Sequence, residues 1–247
     1  VGRATRLFDY IIDKEKEYIA EVRLGIETDT QDATGEIVAR AERLAVTEQD
    51  FLEVLPRFVG EIDQVPPAFS AIKRGGQRMY DLARKGEAVE LAARKVTVHG
   101  VEALARLAED RYLIRVTCGK GVYIRTLCHD IGQRLGCGAH MATLERTAAG
   151  VFTLENALTL EEVDALGAEG LKARLLPMDT AISHLPAVRV EARHRAAARN
   201  GMPLRPEWLD APAPQAEALR VYVGEEFAGI GAPREDGSVR FRAMLLK

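Results

Sequence analysis

The sequence lacks the hydrophobic segments that membrane proteins and secreted precursors carry. No uninterrupted apolar run approaches the roughly 20 residues that a membrane-spanning helix needs. The first six residues, Val1 to Arg6, contain no apolar central region, so they do not form a secretory signal peptide. We therefore expect a cytoplasmic protein that does not contact a membrane. The chain also lacks an initiator methionine, and this favours a piece cut from a longer protein.

Cysteine is scarce as well. Cys118, Cys128 and Cys137 are the only three in 247 residues, and no CxxC pair occurs. A structural zinc site or a disulfide framework is therefore not expected, and the sequence favours reduced thiols, at least two of them buried. Cys128 and His129 are adjacent, but neighbours on a helix point about 100° apart, which disfavours a cysteine–histidine nucleophile.

An excess of basic charge is the third absence. The chain has 34 Lys and Arg against 37 Asp and Glu, a formal net charge of −3. This excludes a histone-like protein, so any contact with nucleic acid would depend on local patches. Hydrophobic residues make up 47%, which excludes general disorder and is enough to bury the core of one large domain or slightly more.

Hydrophobic spacing predicts both strands and helices. Residues 17–24 alternate between apolar and polar positions, as a half-buried strand does, and Tyr18 shares a face with Ala20 and Val22. Thr47 and Thr159 each start a helix by sequence, and the Thr47–Asp50 spacing is that of a capping box. Further strands are predicted over 96–98 and 112–117, and further helices over 79–85 and 124–135.

The pattern of hydrophobic residues changes near residues 176–179. Beyond this point short apolar runs over 219–223, 226–230 and 238–245 are separated by glycines, which indicates a small β-rich module. We therefore predict two domains, residues 1–178 and residues 179–247.

Two segments could carry chemistry. In residues 118–127 a predicted strand runs into a Gly-Lys-Gly turn and then a helix, a geometry in which backbone amides and Lys120 could hold an anion. The alternative is a solvated surface turn, and the P-loop pattern is not met. In residues 64–73 an extended Pro-Pro segment presents Phe69 and Lys73. It could contact single-stranded nucleic acid, or Phe69 could simply fill the core.

Six short motifs occur in an order and with gaps that resemble one family, the TruB-type tRNA pseudouridine synthases, which modify uridine 55 in the T-loop of tRNA. The resemblance is dense over residues 2 to about 179 and looser beyond. The motifs are Gly2-x-Ala4-Thr5-Arg6, Lys16-Glu17-Tyr18, Leu24-Gly25-x-x-Thr28-Asp29-Thr30-x-Asp32, Gln64-x-Pro66-Pro67-x-Phe69-Ser70-Ala71-x-Lys73, Gly121-x-Tyr123-Ile124-Arg125-Thr126-Leu127 and Leu135-Gly136-Cys137-Gly138-Ala139-His140.

The resemblance implies an α+β fold: a mixed, largely antiparallel sheet with helices, followed by a small PUA-like RNA-binding domain. It implies isomerisation of uridine to pseudouridine, in which the glycosidic C–N bond breaks and a C–C bond forms after the base has left the stack. No cofactor and no metal are implied. The expected partner is tRNA, through its T-arm, and we expect a monomer.

The resemblance also assigns site residues. Tyr18 matches the tyrosine that stacks on the flipped uracil and is proposed to remove the C5 proton, although periodicity alone would favour a core tyrosine. Arg125 matches the arginine that pairs with the nucleophilic aspartate. Tyr123 and Leu144 match residues that line the uracil pocket. Lys73 and Lys120 are candidates for contacts with the RNA backbone.

One departure concerns the nucleophile. The family carries it in a Gly-His-Thr-Gly-x-Leu-Asp-Pro motif, and this sequence contains no Asp-Pro dipeptide. Asp9, Asp13, Asp29 and Asp32 do not match the motif, so we expect Arg125 to lack its partner and the chain as given to be inactive. Two alternatives stay open at this point: a catalytically inactive RNA-binding or tRNA-folding module, and an unrelated small-molecule enzyme that holds phosphate at the Gly-Lys-Gly turn.

Overall fold

The structure is a computed structural model that describes residues 2–11, 14–67, 69, 73–74, 77–78 and 91–246. Its contacts divide the chain into two units, residues 14–156 and residues 1–13 together with 157–247. The helix predicted over 79–85 lies outside the described residues. Among the described residues, no helix is long and apolar enough to cross a membrane.

An antiparallel sheet of six strands forms the framework of residues 14–156. Its strand order is β10 (Phe152–Thr153), β9 (Ala139–Ala149), β1 (Lys16–Leu24), β8 (Arg111–Cys118), β7 (Arg94–Ala108) and β4 (Gly60–Gln64). The strands predicted over 17–24 and 112–117 are confirmed as β1 and β8, and residues 96–98 fall within the longer β7. The other described strands of this unit are β2 (Ile26–Thr28), β3 (Ile37–Arg40), β5 (Lys73–Arg74) and β6 (Gln77–Arg78).

The helices begin where the sequence places their caps. Thr47 and Thr159 are both N-caps in complete capping boxes, with Asp50 and Glu162 as the reciprocal acceptors. Gly136, with φ +72°, follows the helix predicted over 124–135. The described α-helices are α1 (Phe8–Ile11), α2 (Glu48–Val54), α3 (Ile124–Arg134), α4 (Leu160–Arg174) and α5 (Arg195–Arg199).

The core of residues 14–156 lies between one face of the sheet and the helices α2 and α3. Ala20 and Val22 of β1 are fully buried there, together with Leu127 and Ile131 of α3. Because α3 buries several apolar side chains, each contributing roughly 1.5–3 kcal/mol, its position on the sheet is strongly determined. The first turn of α3 is therefore held at a fixed place beside the strands.

The second unit contains a four-stranded sheet of order β11-β12-β13-β14, in which β11 and β12 run parallel and the other pairs antiparallel. The strands are β11 (Ala187–Val190), β12 (Leu219–Val223), β13 (Glu226–Pro233) and β14 (Val239–Met244). The prediction that this part of the chain is rich in β-strands is confirmed.

The N-terminal segment 2–11 packs within the second unit. Leu7 is buried in a cluster with Ile182, Ile230 and Leu245. The Arg6 side chain donates a hydrogen bond to the carbonyl of Met244. These contacts place residues 1–13 with the C-terminal sheet, whereas the sequence groups residues 1–178 together. The boundary after residue 178, taken as a division of function, stays a prediction.

Candidate active site

The turn between β8 and α3 has the geometry predicted from the sequence. β8 ends at Cys118, Gly121 adopts φ +82°, and α3 begins at Ile124 with Tyr123 as its N-cap residue. Lys120 is exposed in this turn. The positive φ favours glycine at residue 121 and lets the chain reverse within a few residues.

Gln64 fixes the backbone at the start of α3. Its side-chain amide is 2% exposed; it accepts a hydrogen bond of 2.8 Å from the Tyr123 N–H and donates one of 3.1 Å to the Tyr123 carbonyl. Sequence reasoning missed this contact. The only signal for it is that Gln64 opens the Gln-x-Pro-Pro motif.

Arg125, in the first turn of α3, has a carboxylate partner after all. Its guanidinium donates a hydrogen bond of 3.0 Å to Asp32 Oδ2 and a second one to the carbonyl of Phe69. The two side chains are 21% and 17% exposed, so this ion pair is largely shielded from water. Asp32 is a partner other than the expected nucleophile. The sequence did not predict this pair, because Asp32 is 93 residues away and the polar loop around it predicted only a turn.

Asp32 is itself held by its neighbours in residues 28–35. Its Oδ1 accepts hydrogen bonds from the hydroxyls of Thr30 and Thr34 and from the Thr34 N–H. Burial opposes ionisation, but these bonds and the one from Arg125 outweigh it and hold the pKa of Asp32 below its usual range. The carboxylate is therefore charged at neutral pH and fixed in direction.

Tyr18 lies on β1 between two strands, opposite Val116 of β8 and Arg146 of β9. It packs half-buried against the core. Burial raises the pKa of the Tyr18 hydroxyl, Cys118 acts in the same direction, and Arg146 opposes both. The phenol therefore stays protonated near neutral pH.

Leu144 lies on the face of the sheet that Tyr18 occupies. Leu144 is on β9 and pairs with Ala20 of β1. This pair lies two residues along each strand from the pair formed by Tyr18 and Arg146. Unlike Ala20, Leu144 is 44% exposed. Beside Tyr18 the sheet thus presents an uncovered apolar side chain, the kind of surface on which a flat base can stack.

The strand β9 joins the two parts of this site. The backbone of Met141 pairs with the Asp32 loop through hydrogen bonds of 3.0 Å to Gln31 and Ala33. Leu144 lies three residues further on, about 10 Å along the strand. The strand β9 thus carries Leu144 and pairs with β1, which carries Tyr18. The same strand also holds the loop that contains Asp32, the partner of Arg125.

The remaining candidates are less closely connected with these residues. Tyr123 is partly buried at the N-terminus of α3. Lys73 lies on β5, opposite Arg78 of β6, in a short hairpin.

The thiols do not support nucleophilic chemistry. Cys118 and Cys128 are buried, as predicted, and burial raises their pKa values to about 11 and about 12. Cys137 is half-buried, and burial raises its pKa as well. Within the described ranges, no group of three or more His, Cys, Asp or Glu side chains is arranged to hold a metal ion.

Comparison with protein families identifies the chain. Residues 1–124 match the family model of the N-terminal domain of TruB family pseudouridylate synthases. Residues 125–183 match the model of the C-terminal domain of tRNA pseudouridylate synthase B. The chain belongs to the TruB family. The family expected from the six motifs is thereby confirmed.

Curated relatives agree with this assignment. The tRNA pseudouridine synthase B of Stutzerimonas stutzeri is 42% identical over 250 residues, which cover 99% of this chain and 80% of that protein. The protein of the same name from Dehalococcoides mccartyi is 40% identical over 240 residues, covering 96% of this chain and 78% of that protein. This TruB-family chain is a pseudouridine synthase, an isomerase that converts uridine to pseudouridine in tRNA. The alternatives of a non-catalytic module and a phosphate-binding small-molecule enzyme are not favoured.

Solved structures confirm the expected fold. A Cbf5–Nop10–Gar1 complex matches with a TM-score of 0.69 and 25% identity over 100% of this chain and 71% of that chain. An H/ACA ribonucleoprotein bound to a substrate RNA containing 2′-deoxyuridine matches with a TM-score of 0.69 at 23% identity, over 99% of this chain and 70% of that chain. The α+β class, the largely antiparallel sheet and a PUA-like C-terminal sheet domain agree with these neighbours.

Proposed function

We propose that this synthase acts on uridine 55 in the T-loop of tRNA and receives the flipped base between Tyr18, Leu144 and the first turn of α3. The observation that carries this proposal is the Arg125–Asp32 pair, held beside the face of the sheet that bears Tyr18. A base must leave its stack before its glycosidic bond can be reached. A half-buried aromatic ring next to an uncovered leucine offers that base a replacement surface.

Arg125 supplies the positive charge of the site. In the family it pairs with the nucleophilic aspartate, and such a pair lowers a carboxylate's pKa by about 1–3 units and fixes its orientation. Here the Phe69 carbonyl and Asp32 each take one hydrogen bond from the guanidinium. With both contacts in place, the remaining N–H groups of Arg125 have a defined direction in which to receive the nucleophile.

Asp32 positions Arg125 and is not itself the nucleophile. Its Oδ1 accepts bonds from Thr30 and Thr34 and its Oδ2 accepts one from Arg125, so both oxygens are already engaged. The sequence contains no Asp-Pro dipeptide. We infer that the nucleophilic aspartate is not among residues 1–247, and that these residues alone bind RNA without making pseudouridine.

Tyr18 serves the last chemical step in this proposal. Once the C–C bond has formed, the C5 proton must leave, and the Tyr18 oxygen is a polar atom on the same face of β1 as the base. The raised pKa means that the free enzyme carries the phenol, so Tyr18 passes its own proton to solvent water and the phenolate oxygen then accepts the C5 proton. Arg146, on the opposite strand, is the cation that eases this loss.

RNA binding completes the proposal. Lys73 and Lys120 contact backbone phosphates of the T-arm, Tyr123 lines the uracil pocket, and residues 179–247 act as the PUA-like RNA-binding domain. The enzyme works in the cytoplasm as a monomer, without a cofactor or a metal ion. Contacts of this electrostatic kind weaken as the salt concentration rises.

The test compares residues 1–247 with a version preceded by the family's Leu-Asp-Pro segment. Tritium release from C5-labelled uridine in a tRNA transcript is measured for both, with a transcript carrying cytidine at position 55 as the control. We expect salt-sensitive binding by both proteins, and release by the longer one only and only from uridine 55. Release by residues 1–247 at the rate of the longer protein would place the nucleophile inside this sequence. Release that persists with cytidine at position 55 would overturn the substrate position.

A further inference from the structure

We propose that Gln31 and Thr126 form a clamp that positions the Asp32–Arg125 pair for catalysis. The proposal rests on the proposed function, because it concerns the same arginine. It adds two positioning residues, neither of which touches the base, to the residues that the family resemblance assigns.

The clamp consists of two adjacent hydrogen bonds between the Asp32 loop and the first turn of α3. The Thr126 hydroxyl donates a hydrogen bond of 2.7 Å to Gln31 Oε1. Arg125, the residue before Thr126, donates its bond of 3.0 Å to Asp32, the residue after Gln31. Two consecutive residues of the loop thus bind two consecutive residues in the first turn of α3.

The backbone around Gln31 is built to present its side chain. Gln31 has φ +64°, a left-handed conformation that residues other than glycine rarely adopt. Its N–H donates to the Thr28 carbonyl at 3.1 Å and its carbonyl accepts from Met141 at 3.0 Å. The Thr28 hydroxyl donates to the Asp32 carbonyl at 2.6 Å. The loop is therefore fixed from both sides at the residue that reaches Thr126.

Of the two residues of α3 in the clamp, Thr126 is held more rigidly than Arg125. It is 2% exposed and sits on a helix packed into the core, so its hydroxyl has little freedom. Arg125, by contrast, has a long side chain that can reorient. Because the strength of a hydrogen bond depends on its angle, the direction of the guanidinium matters. With the Thr126–Gln31 bond intact, the loop cannot slide along α3 without breaking two contacts at once. A misplacement of about 1 Å at such a site can cost a large factor in rate.

The experiment uses three variants in the enzyme that carries the Leu-Asp-Pro segment. Thr126→Val keeps the side-chain shape and removes the hydroxyl, and Thr126→Ser keeps the hydroxyl. Gln31→Asn tolerates the left-handed backbone but is one methylene too short to reach Thr126. Because it alters a partly exposed loop residue, Gln31→Asn remains informative if Thr126→Val fails to fold.

Thr47→Val is the matched control. It is the same chemical change, and it removes a hydroxyl bond of 2.6 Å to Asp50 together with an N-cap. Because the Thr47 bond caps α2, away from the Asp32–Arg125 pair, we expect this variant to lose stability but not turnover.

We expect Thr126→Val and Gln31→Asn each to lower the single-turnover rate about tenfold while the RNA dissociation constant changes less than twofold. Thr126→Ser should restore the rate to within about twofold of the parent. The double variant Thr126→Val/Gln31→Asn should be no slower than either single variant, because both substitutions remove the same hydrogen bond. A purely structural role would instead show in the unfolding midpoint and not in this split between rate and affinity.

The clamp would be overturned by a Thr126→Val enzyme as fast as the parent, or by a loss of rate in Thr126→Val no larger than that in Thr47→Val. Additive losses in the double variant would likewise contradict it. Failure of the proposed function is distinguishable, since in that case the parent enzyme itself would make no pseudouridine at position 55.

Discussion

The two halves of the candidate site are held by different forces. In the strand half, the register of β1 and β9 positions Tyr18 and Leu144, and Tyr18 also packs against the apolar core. In the loop half, Asp32 and Arg125 depend on side-chain hydrogen bonds among Thr30, Thr34 and each other. Backbone register survives the loss of one polar atom, whereas a polar network changes with every atom removed. The strand half should therefore tolerate substitutions structurally, and the loop half should not.

The largest effect is expected from the strand half. In the version with the Leu-Asp-Pro segment, Tyr18→Phe should abolish pseudouridine formation while the protein stays folded, since only one hydroxyl is lost and the ring still packs. Tritium release from a tRNA transcript measures the product, and circular dichroism measures the fold. Tyr112→Phe, in the buried core on the neighbouring strand β8, is the control and should turn over normally. Normal product yield from Tyr18→Phe would mean that the wrong tyrosine was chosen.

Arg125→Ala removes the centre of the loop half. It should greatly reduce turnover and leave tRNA affinity within about tenfold, or ~1.4 kcal/mol, because Arg125 binds groups of the protein itself, the Asp32 carboxylate and the Phe69 carbonyl. Arg111→Ala, which breaks a surface contact of 3.4 Å with Glu21, is the control and should change neither quantity. Filter binding and single-turnover assays separate the two effects, and an Arg125→Ala enzyme with normal turnover would exclude the role.

A smaller loss is expected from Asp32→Asn. The amide can still accept a hydrogen bond from Arg125, but the charge that holds the guanidinium is gone, so we expect turnover to fall by about tenfold. Asp110→Asn, which alters an exposed pair with Arg23 at 3.2 Å, is the matched control and should lose nothing measurable. If Asp32→Asn were as inactive as Arg125→Ala, Asp32 would have to act directly in the chemistry.

The smallest effect concerns stability and pH. Because the folded protein holds the pKa of Asp32 below its usual value, Asp32 stabilises the fold above the unfolded pKa of about 3.9, and this contribution is lost as the pH falls. The difference in unfolding free energy between the parent and Asp32→Asn should therefore be constant near neutral pH and shrink below about pH 4. Urea unfolding at several pH values measures it. A difference that grows on acidification would contradict the sign.

Local features of the chain were predictable because they depend on neighbours in sequence. The alternation in residues 17–24, the capping boxes of Thr47 and Thr159, and the stop at Gly136 all rest on contacts within a few residues. The pairing of β1 with β8 and β9 could not be predicted from neighbours in sequence, because it joins strands that are far apart in the chain. The family motifs supplied candidate site residues, but not the contacts that hold them.

The partner of Arg125 shows what the sequence could not reveal. Asp32 is 93 residues away, in a loop whose composition predicts a turn and nothing about its target. Gln64 and Tyr123, 59 residues apart, meet in the same way. Such contacts arise only after the core has fixed α3 against the sheet, because a hydrogen bond needs its donor and acceptor within about 3 Å.

By itself, the sequence determined the family, the α+β class, and several strands and helix caps, and it named Tyr18 and Arg125 as the candidate catalytic residues. Only the tertiary structure decided that Asp32 pairs with Arg125, that Gln31 reaches Thr126, and that residues 2–11 pack in the C-terminal unit. The physical reason is the range of the forces involved. Helix and strand patterns record the local preferences of the backbone, whereas the placement of charged side chains depends on which distant surfaces the buried apolar core brings together.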